Sequence, residues 1–169
     1  RILIFVGDDY EDLELQYPKY RLREAGCEVV VAGLEAGVTH KGKHGYPQLS
    51  EAKLAALDAK DFDGLVVPGG WMPDKLRRYD EVKRLTSDID KQGKLLASIC
   101  HGAWINISAN AVKGYRYTST PGLTDDLANA GVSEWVNEET VVDRHHVSAR
   151  KPDDCPAFCK AMLEVLAQQ

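Results

Sequence analysis

A cysteine, a histidine and a glycine, Cys100-His101-Gly102, follow directly on the run Leu95-Leu96-Ala97-Ser98-Ile99. A small, apolar run of that kind reads as a strand buried on both faces. Beyond it Ala103, Trp104, Ile105 and Ile107 continue at a spacing that suits a helix. A cysteine at such a strand-to-helix turn projects above the sheet, and the next residue's N–H points at the atom it attacks. Gly102 lacks the Cβ that would obstruct the turn. The helix N-terminus behind favours an anion and predicts a lowered thiol pKa. The same octet also fits a buried, inert cysteine.

The rest of the chain supplies elements to hold such a turn. Arg1–Val6 and Glu28–Ala32 read as strands, with a helix from Glu11 to Gly26 between them that Pro18 must either start late or kink. Strand, helix and strand with short joints make a βαβ unit and a parallel sheet. Residues 35–60 are glycine-marked loops with room for a small hairpin, then a helical patch at Glu51–Leu57. Phe62–Pro68 is a third strand, ending in Gly69-Gly70. From Asp74 onward Leu76, Tyr79, Val82, Leu85 and Ile89 recur at three and four and predict one helix. Lys94–Ile99 is the fourth strand. A turn at Thr118–Gly122, a helix carrying Leu123 and Leu127, strands at Glu134–Val136 and Val141–Ala149, and a helix over Asp153–Ala167 complete the chain.

This order predicts one domain over residues 1–169, an α/β, doubly wound, flavodoxin-like sandwich. The site of such a sheet lies off the carboxyl ends of its strands. Glu11 lies beyond strand one, Gly69-Gly70 beyond strand three and Cys100-His101 beyond strand four, so all three meet at one rim.

Other chemistries find less support. With 21 Lys and Arg against 26 Asp and Glu the net charge is −5, and no basic stripe stands out, which argues against nucleic acid. No apolar run approaches a membrane span and no signal-peptide pattern is present. The four cysteines show neither zinc spacing nor a disulfide framework, which favours the cytoplasm. Arg1 is not an initiating methionine, which leads one to expect that residues before it have been removed or lie outside this sequence. Cys155, Cys159, Met162 and Leu166 share a helical face and read as core. His40 and His44 lie in a glycine-rich loop with no carboxylate or cysteine to complete a metal set. His145 and His146, as strand neighbours, should point to opposite faces and share no ion.

Asp9-Tyr10-Glu11-Asp12-Leu13-Glu14, Gly42-Lys43-His44-Gly45-Tyr46, Val67-Pro68-Gly69-Gly70, Ala97-Ser98-Ile99-Cys100-His101-Gly102 and Thr118-Ser119-Thr120-Pro121-Gly122 resemble, in order and over nearly the full length, the PfpI/ThiJ superfamily. Its members include PfpI-type intracellular proteases, glyoxalase III enzymes and protein deglycases. The resemblance implies that Cys100 is the nucleophile and that Glu11 is the acid hydrogen-bonded to its sulfur. It implies that the N–H groups of Gly70 and His101 form the oxyanion hole, with Gly69 and Trp71 at the pocket. In the PfpI-type proteases a neighbouring subunit's glutamate orients the histidine. The matching residue here is Asp74, one methylene shorter, and Trp71 stands where those relatives commonly carry arginine. Homodimers, some built into hexamers, are the expected assemblies.

A thiolate and a carboxylate in one partly buried site repel, so one pKa must rise. A neutral Glu11 donating to a Cys100 thiolate is the expected state. Three activities then compete. The first is a glyoxalase or deglycase acting on 2-oxoaldehydes or their adducts through a Cys100 hemithioacetal, with Glu11 moving a proton and no metal, glutathione or other cofactor required. The second is a PfpI-type peptidase or amidase using His101 and Asp74. The third is a non-catalytic oxidative-stress sensor or chaperone whose thiol oxidises readily.

Overall fold

A computed structural model describes all residues, Arg1–Gln169. The chain runs β1 (Ile2–Phe5), α1 (Asp12–Glu24), β2 (Val29–Gly33), β3 (Thr39–Lys41), β4 (Pro47–Leu49), β5 (Ala52–Lys53), β6 (Gly64–Val67), α2 (Met72–Leu76), α3 (Asp80–Lys91) and β7 (Leu95–Ile99). It continues through α4 (Ala103–Ser108), β8 (Arg116–Tyr117), α5 (Thr124–Asn129), β9 (Glu134–Trp135), β10 (Thr140–Asp143), β11 (His146–Ala149) and α6 (Cys155–Gln168).

β1, β6 and β7 are buried at every residue. They can be, because the sheet order β10-β11-β7-β6-β1-β2-β5 puts them at its centre. Every neighbouring pair in that sheet is parallel except β10–β11 at one edge. The chain steps from β1 through α1 to β2 in one direction, and from β6 through α3 to β7 in the other. Right-handed crossovers therefore set α1 and α3 on opposite faces. α1 packs on α6, while α2 and α3 pack on α4. The order reverses between β1 and β6, and a ligand crevice opens at such a reversal, above the carboxyl ends.

α1 starts at Asp12 and continues through Pro18. The patch at Glu51–Leu57 is not an α-helix. Ala52–Lys53 is a two-residue edge strand on β2, followed by one 3-10 turn at Leu54–Ala56. The helix expected from Asp74 is two, α2 and α3, separated at Arg77–Tyr79. The strand expected over Val141–Ala149 is a tight antiparallel hairpin, β10 against β11, with Arg144 at φ 56° in its turn. His145 is thus a turn residue, and the alternation that would separate it from His146 does not apply. Both rings reach the same oxygen, Asp90 Oδ1, at 2.9 and 2.7 Å. No helix is long and apolar enough to cross a membrane.

Candidate active site

Cys100 sits between β7 and a 3-10 turn, Cys100–Gly102, that leads into α4. Its φ of 59° is left-handed, a strained conformation for a side chain with a Cβ. Gly102 makes the turn possible, because a Cβ there would lie 2.3 Å from the Val67 carbonyl oxygen. The thiol is held by its surroundings. Sγ lies 3.2 Å from His101 Nδ1, and the His101 backbone N–H is directed at the sulfur.

The acid beside that sulfur is Glu14, where the sequence pointed to Glu11. Glu11 is the N-cap of α1, and its carboxylate accepts the Glu14 N–H at 2.9 Å. That bond satisfies one of the helix's free amides. It holds the Glu11 side chain at the helix mouth, 3.8 Å from His44 Nε2. Glu14, one turn further in, is fully buried. Its Oε2 accepts the Gly69 N–H at 2.8 Å, and its carboxyl faces the Cys100 thiol. Gly69 is the spacer between them: a Cβ there would lie 2.5 Å from Glu14 Oε2 and 2.9 Å from Cys100 Cβ. The sequence held a signal for this. Glu14, Pro18 and Leu22 are four apart, so Glu14 continues the inward stripe of α1 and is an acid on an apolar face.

Burial and the neighbouring Glu11 charge raise the Glu14 pKa to about 8, so it carries a proton at neutral pH. Burial and the Glu14 carboxyl push the Cys100 thiol up, to about 12. The lowered thiol pKa expected from the helix N-terminus is not found: burial and the Glu14 carboxyl outweigh the His101 backbone N–H and Lys43, which act to lower it. Burial and Lys43 lower the His101 pKa, which leaves its imidazole uncharged and able to accept a proton.

Gly70, at φ 77°, forms the other wall. It bridges to Tyr10 through bonds made by its neighbours, Glu11 N–H to the Gly69 carbonyl at 3.1 Å and Trp71 N–H to the Asp9 carbonyl at 2.9 Å. Its own N–H takes no partner within the chain. A Cβ at Gly70 would lie 2.3 Å from the Asp9 oxygen, so this corner requires glycine. Trp71 and Trp104 flank the His101 ring, with centroids 5.5 and 4.9 Å away. Trp71 is 58% exposed at the rim.

Asp74, in α2, pairs with Arg78 at 2.7 Å within its own chain. Lys43 and His44 belong to a loop pinned by Asp12, whose carboxylate accepts the His44 and Tyr46 N–H groups at 2.9 and 2.8 Å. His40 bonds to Asp8 instead, at 3.0 Å, so the two loop histidines face different acids. A cavity of about 350 Å³ opens beside Cys100, lined by Thr120, Pro121, Asn137, Arg150 and Lys151. Thr120 and Pro121 belong to the Thr118–Gly122 segment that the sequence singles out, whereas Asn137, Arg150 and Lys151 come from other parts of the chain and share no spacing that would mark them.

A model of the DJ-1/PfpI family matches residues 1–165. A deglycase of Pyrococcus abyssi is 43% identical over 166 residues, covering 98% of this chain and 99% of its own length. Protein/nucleic acid deglycase 2 of Escherichia coli is 36% identical over 168 residues, covering 98% and 97%. Among solved structures, a two-domain protein of Anabaena variabilis with a DJ-1/ThiJ/PfpI-like and a ferritin-like domain superposes with a TM-score of 0.95 at 34% identity. That match covers 98% of this chain and 48% of the Anabaena chain.

Proposed function

Because the chain belongs to the DJ-1/PfpI family, we propose that it is a cysteine-dependent enzyme acting on reactive 2-oxoaldehydes, free or as adducts on amines and thiols. The observation that carries this reading is the buried Glu14, its carboxyl held near pH 8 and facing the Cys100 thiol. A group with a pKa near the working pH can both give and take a proton. An acid that must move one between adjacent carbons needs that property.

In this reading His101 Nδ1 takes the thiol proton as sulfur bonds to the aldehyde carbon. The N–H groups of Gly70 and His101 steady the oxygen as it gains charge, and it takes the Glu14 proton. A hemithioacetal now faces a carboxylate. Glu14 removes the hydrogen on the former aldehyde carbon as a proton and returns it to the adjacent carbon. The hydroxyl proton passes to the other oxygen, leaving the thioester of a 2-hydroxy acid. Water opens the thioester, sulfur recovers its proton from His101, and Glu14 recovers one from the water. Where the aldehyde arrives as an adduct, the same sulfur displaces the amine or thiol. The names of the Pyrococcus and Escherichia relatives support this class.

Incubation with methylglyoxal, followed by a lactate assay against Cys100→Ala, tests the reading. Lactate formed by the wild type and absent from the variant is expected. No lactate above the variant, together with no recovery of amine from a methylglyoxal-modified peptide, overturns it.

The 3.2 Å separation of Sγ and His101 Nδ1 also suits an amidase or peptidase. That activity would place Asp74 on the histidine of a second copy, at the cost of its bond to Arg78. An acyl-enzyme on Cys100, seen by intact mass and lost in Asp74→Asn, would select it.

A further inference from the structure

We infer that Asp90, His145 and His146 form a binding site for a divalent ion of the zinc class, independent of the chemistry at Cys100. The two sites lie at opposite ends of β7. His146 pairs with Leu96 at the start of that strand, whereas Cys100 follows its end. Four residues of strand separate them by about 13 Å.

The donor set is the first argument. His145 Nε2 and His146 Nε2 lie 2.9 and 2.7 Å from Asp90 Oδ1, and all three atoms fall within 4.8 Å of one another. Two imidazole nitrogens and one carboxylate oxygen suit zinc and its neighbours, and leave a position for water. Ligand atoms around a tetrahedral zinc stand about 3.3 Å apart, given bonds of about 2.0–2.1 Å. The two distances to Asp90 Oδ1 must therefore lengthen by roughly half an ångström, which the Arg144–His145 turn can supply.

The second argument is how the ligands are aimed. His146 is 1% exposed, and its ring is stacked on Tyr115 at 3.7 Å. Its Nδ1 is held by the Tyr117 hydroxyl at 2.8 Å, and Asn106 Nδ2 donates to that hydroxyl at 3.0 Å. A fixed partner on the other ring nitrogen is how proteins orient a metal-bound histidine. The hydrogen atoms can also be accommodated. With an ion on Nε2, the ring proton moves to Nδ1 and is donated to the Tyr117 oxygen. The Tyr117 hydroxyl must then donate elsewhere. Asn106 Oδ1, buried with no partner, accepts it once the amide turns over.

Access and charge are favourable too. The Asp90 and His145 side chains are 18% and 17% exposed, so an ion can enter from solvent. Arg144 lies over the Tyr115 ring at 3.7 Å, but its guanidinium is engaged by Asp143 at 3.0 Å. An ion held here would tie the end of α3 to the β10–β11 hairpin.

Calorimetric titration of ZnCl₂ into the wild type and Cys100→Ser, with thermal melts in the presence and absence of Zn²⁺, tests the site. One ion per chain and a raised melting temperature are expected in both proteins. Both effects should vanish in His145→Gln and Asp90→Asn. Tyr117→Phe, which keeps the ring and loses the orienting hydroxyl, should bind about tenfold more weakly. Failure of Cys100→Ser to bind, or undiminished binding by His145→Gln, overturns the proposal. If either ligand variant does not fold, the Tyr117→Phe titration decides alone, and unchanged affinity there counts against the site.

Discussion

Glu11 and Glu14 are the same residue type three positions apart, and their environments give them different work. Glu11 faces a helix amide and Glu14 faces a thiol. Because the Glu14 charge raises the thiol pKa, Glu14→Gln should move the iodoacetamide reactivity of Cys100 to lower pH. Glu11→Gln should leave that profile nearly in place; a profile equally unmoved in both variants would show the acid and the sulfur to be uncoupled. The same raised pKa makes a stability statement. Folded protein keeps the Glu14 proton up to about pH 8, while the unfolded chain releases it near the ordinary value of 4.5. Between these limits the folded state binds more protons, so this residue's contribution is full below the lower value and is lost as pH rises through the upper one. The loss is on the order of a few kcal/mol. Urea denaturation should therefore show the wild type losing more stability than Glu14→Gln from pH 5 to pH 9. Parallel losses in the two proteins would show that Glu14 does not carry the effect.

The turn that carries Cys100 is itself strained, and the strain is measurable. Cys100 occupies a left-handed conformation, φ 59°, that glycine adopts freely. Cys100→Gly should melt higher than Cys100→Ala, with a difference of about 1–2 kcal/mol, although both lose the thiol. Equal melting would mean the elbow relaxes when the sulfur is gone. This element was legible in the sequence for the same reason that β1 and β6 were: each is buried on both faces, so an apolar run has one meaning. Legibility failed where an element is short or its turn lacks the usual residues. Ala52–Lys53 is two residues of edge strand with no periodicity to read. The β10–β11 hairpin turns through Arg144 at φ 56°, where glycine or asparagine would have announced it, so nine residues read as one strand and the two histidines were set on opposite faces. The right rim of the sheet could be found from the motifs. Choosing between two acids on α1 needed the cap at Glu11, which appears once the helix start is fixed at Asp12.

At the scale of the molecule, α1 links the site to the outer surface. Its inner face presents Glu14, while Leu13, Tyr17 and Tyr20 stand on its outer face at 57%, 40% and 55% exposure. These three follow helical spacing and border an open apolar cavity of about 590 Å³ away from Cys100. Large side chains left in a continuous stripe are a natural contact for a second copy of the chain. Self-association, which the family resemblance implies, is proposed to use this face. Leu13→Arg with Tyr17→Arg should convert the assembly to monomers in light scattering, since each cation would be buried without a partner. A loosened α1 should also lower turnover while leaving the melting of the isolated chain within about 0.5 kcal/mol, as exposed positions usually do. A wild type that is monomeric at micromolar concentration would remove the contact. Unchanged turnover in a monomeric double variant would show that Glu14 is held by the chain's own crevice, through the Gly69 amide, and needs no neighbour to brace its helix.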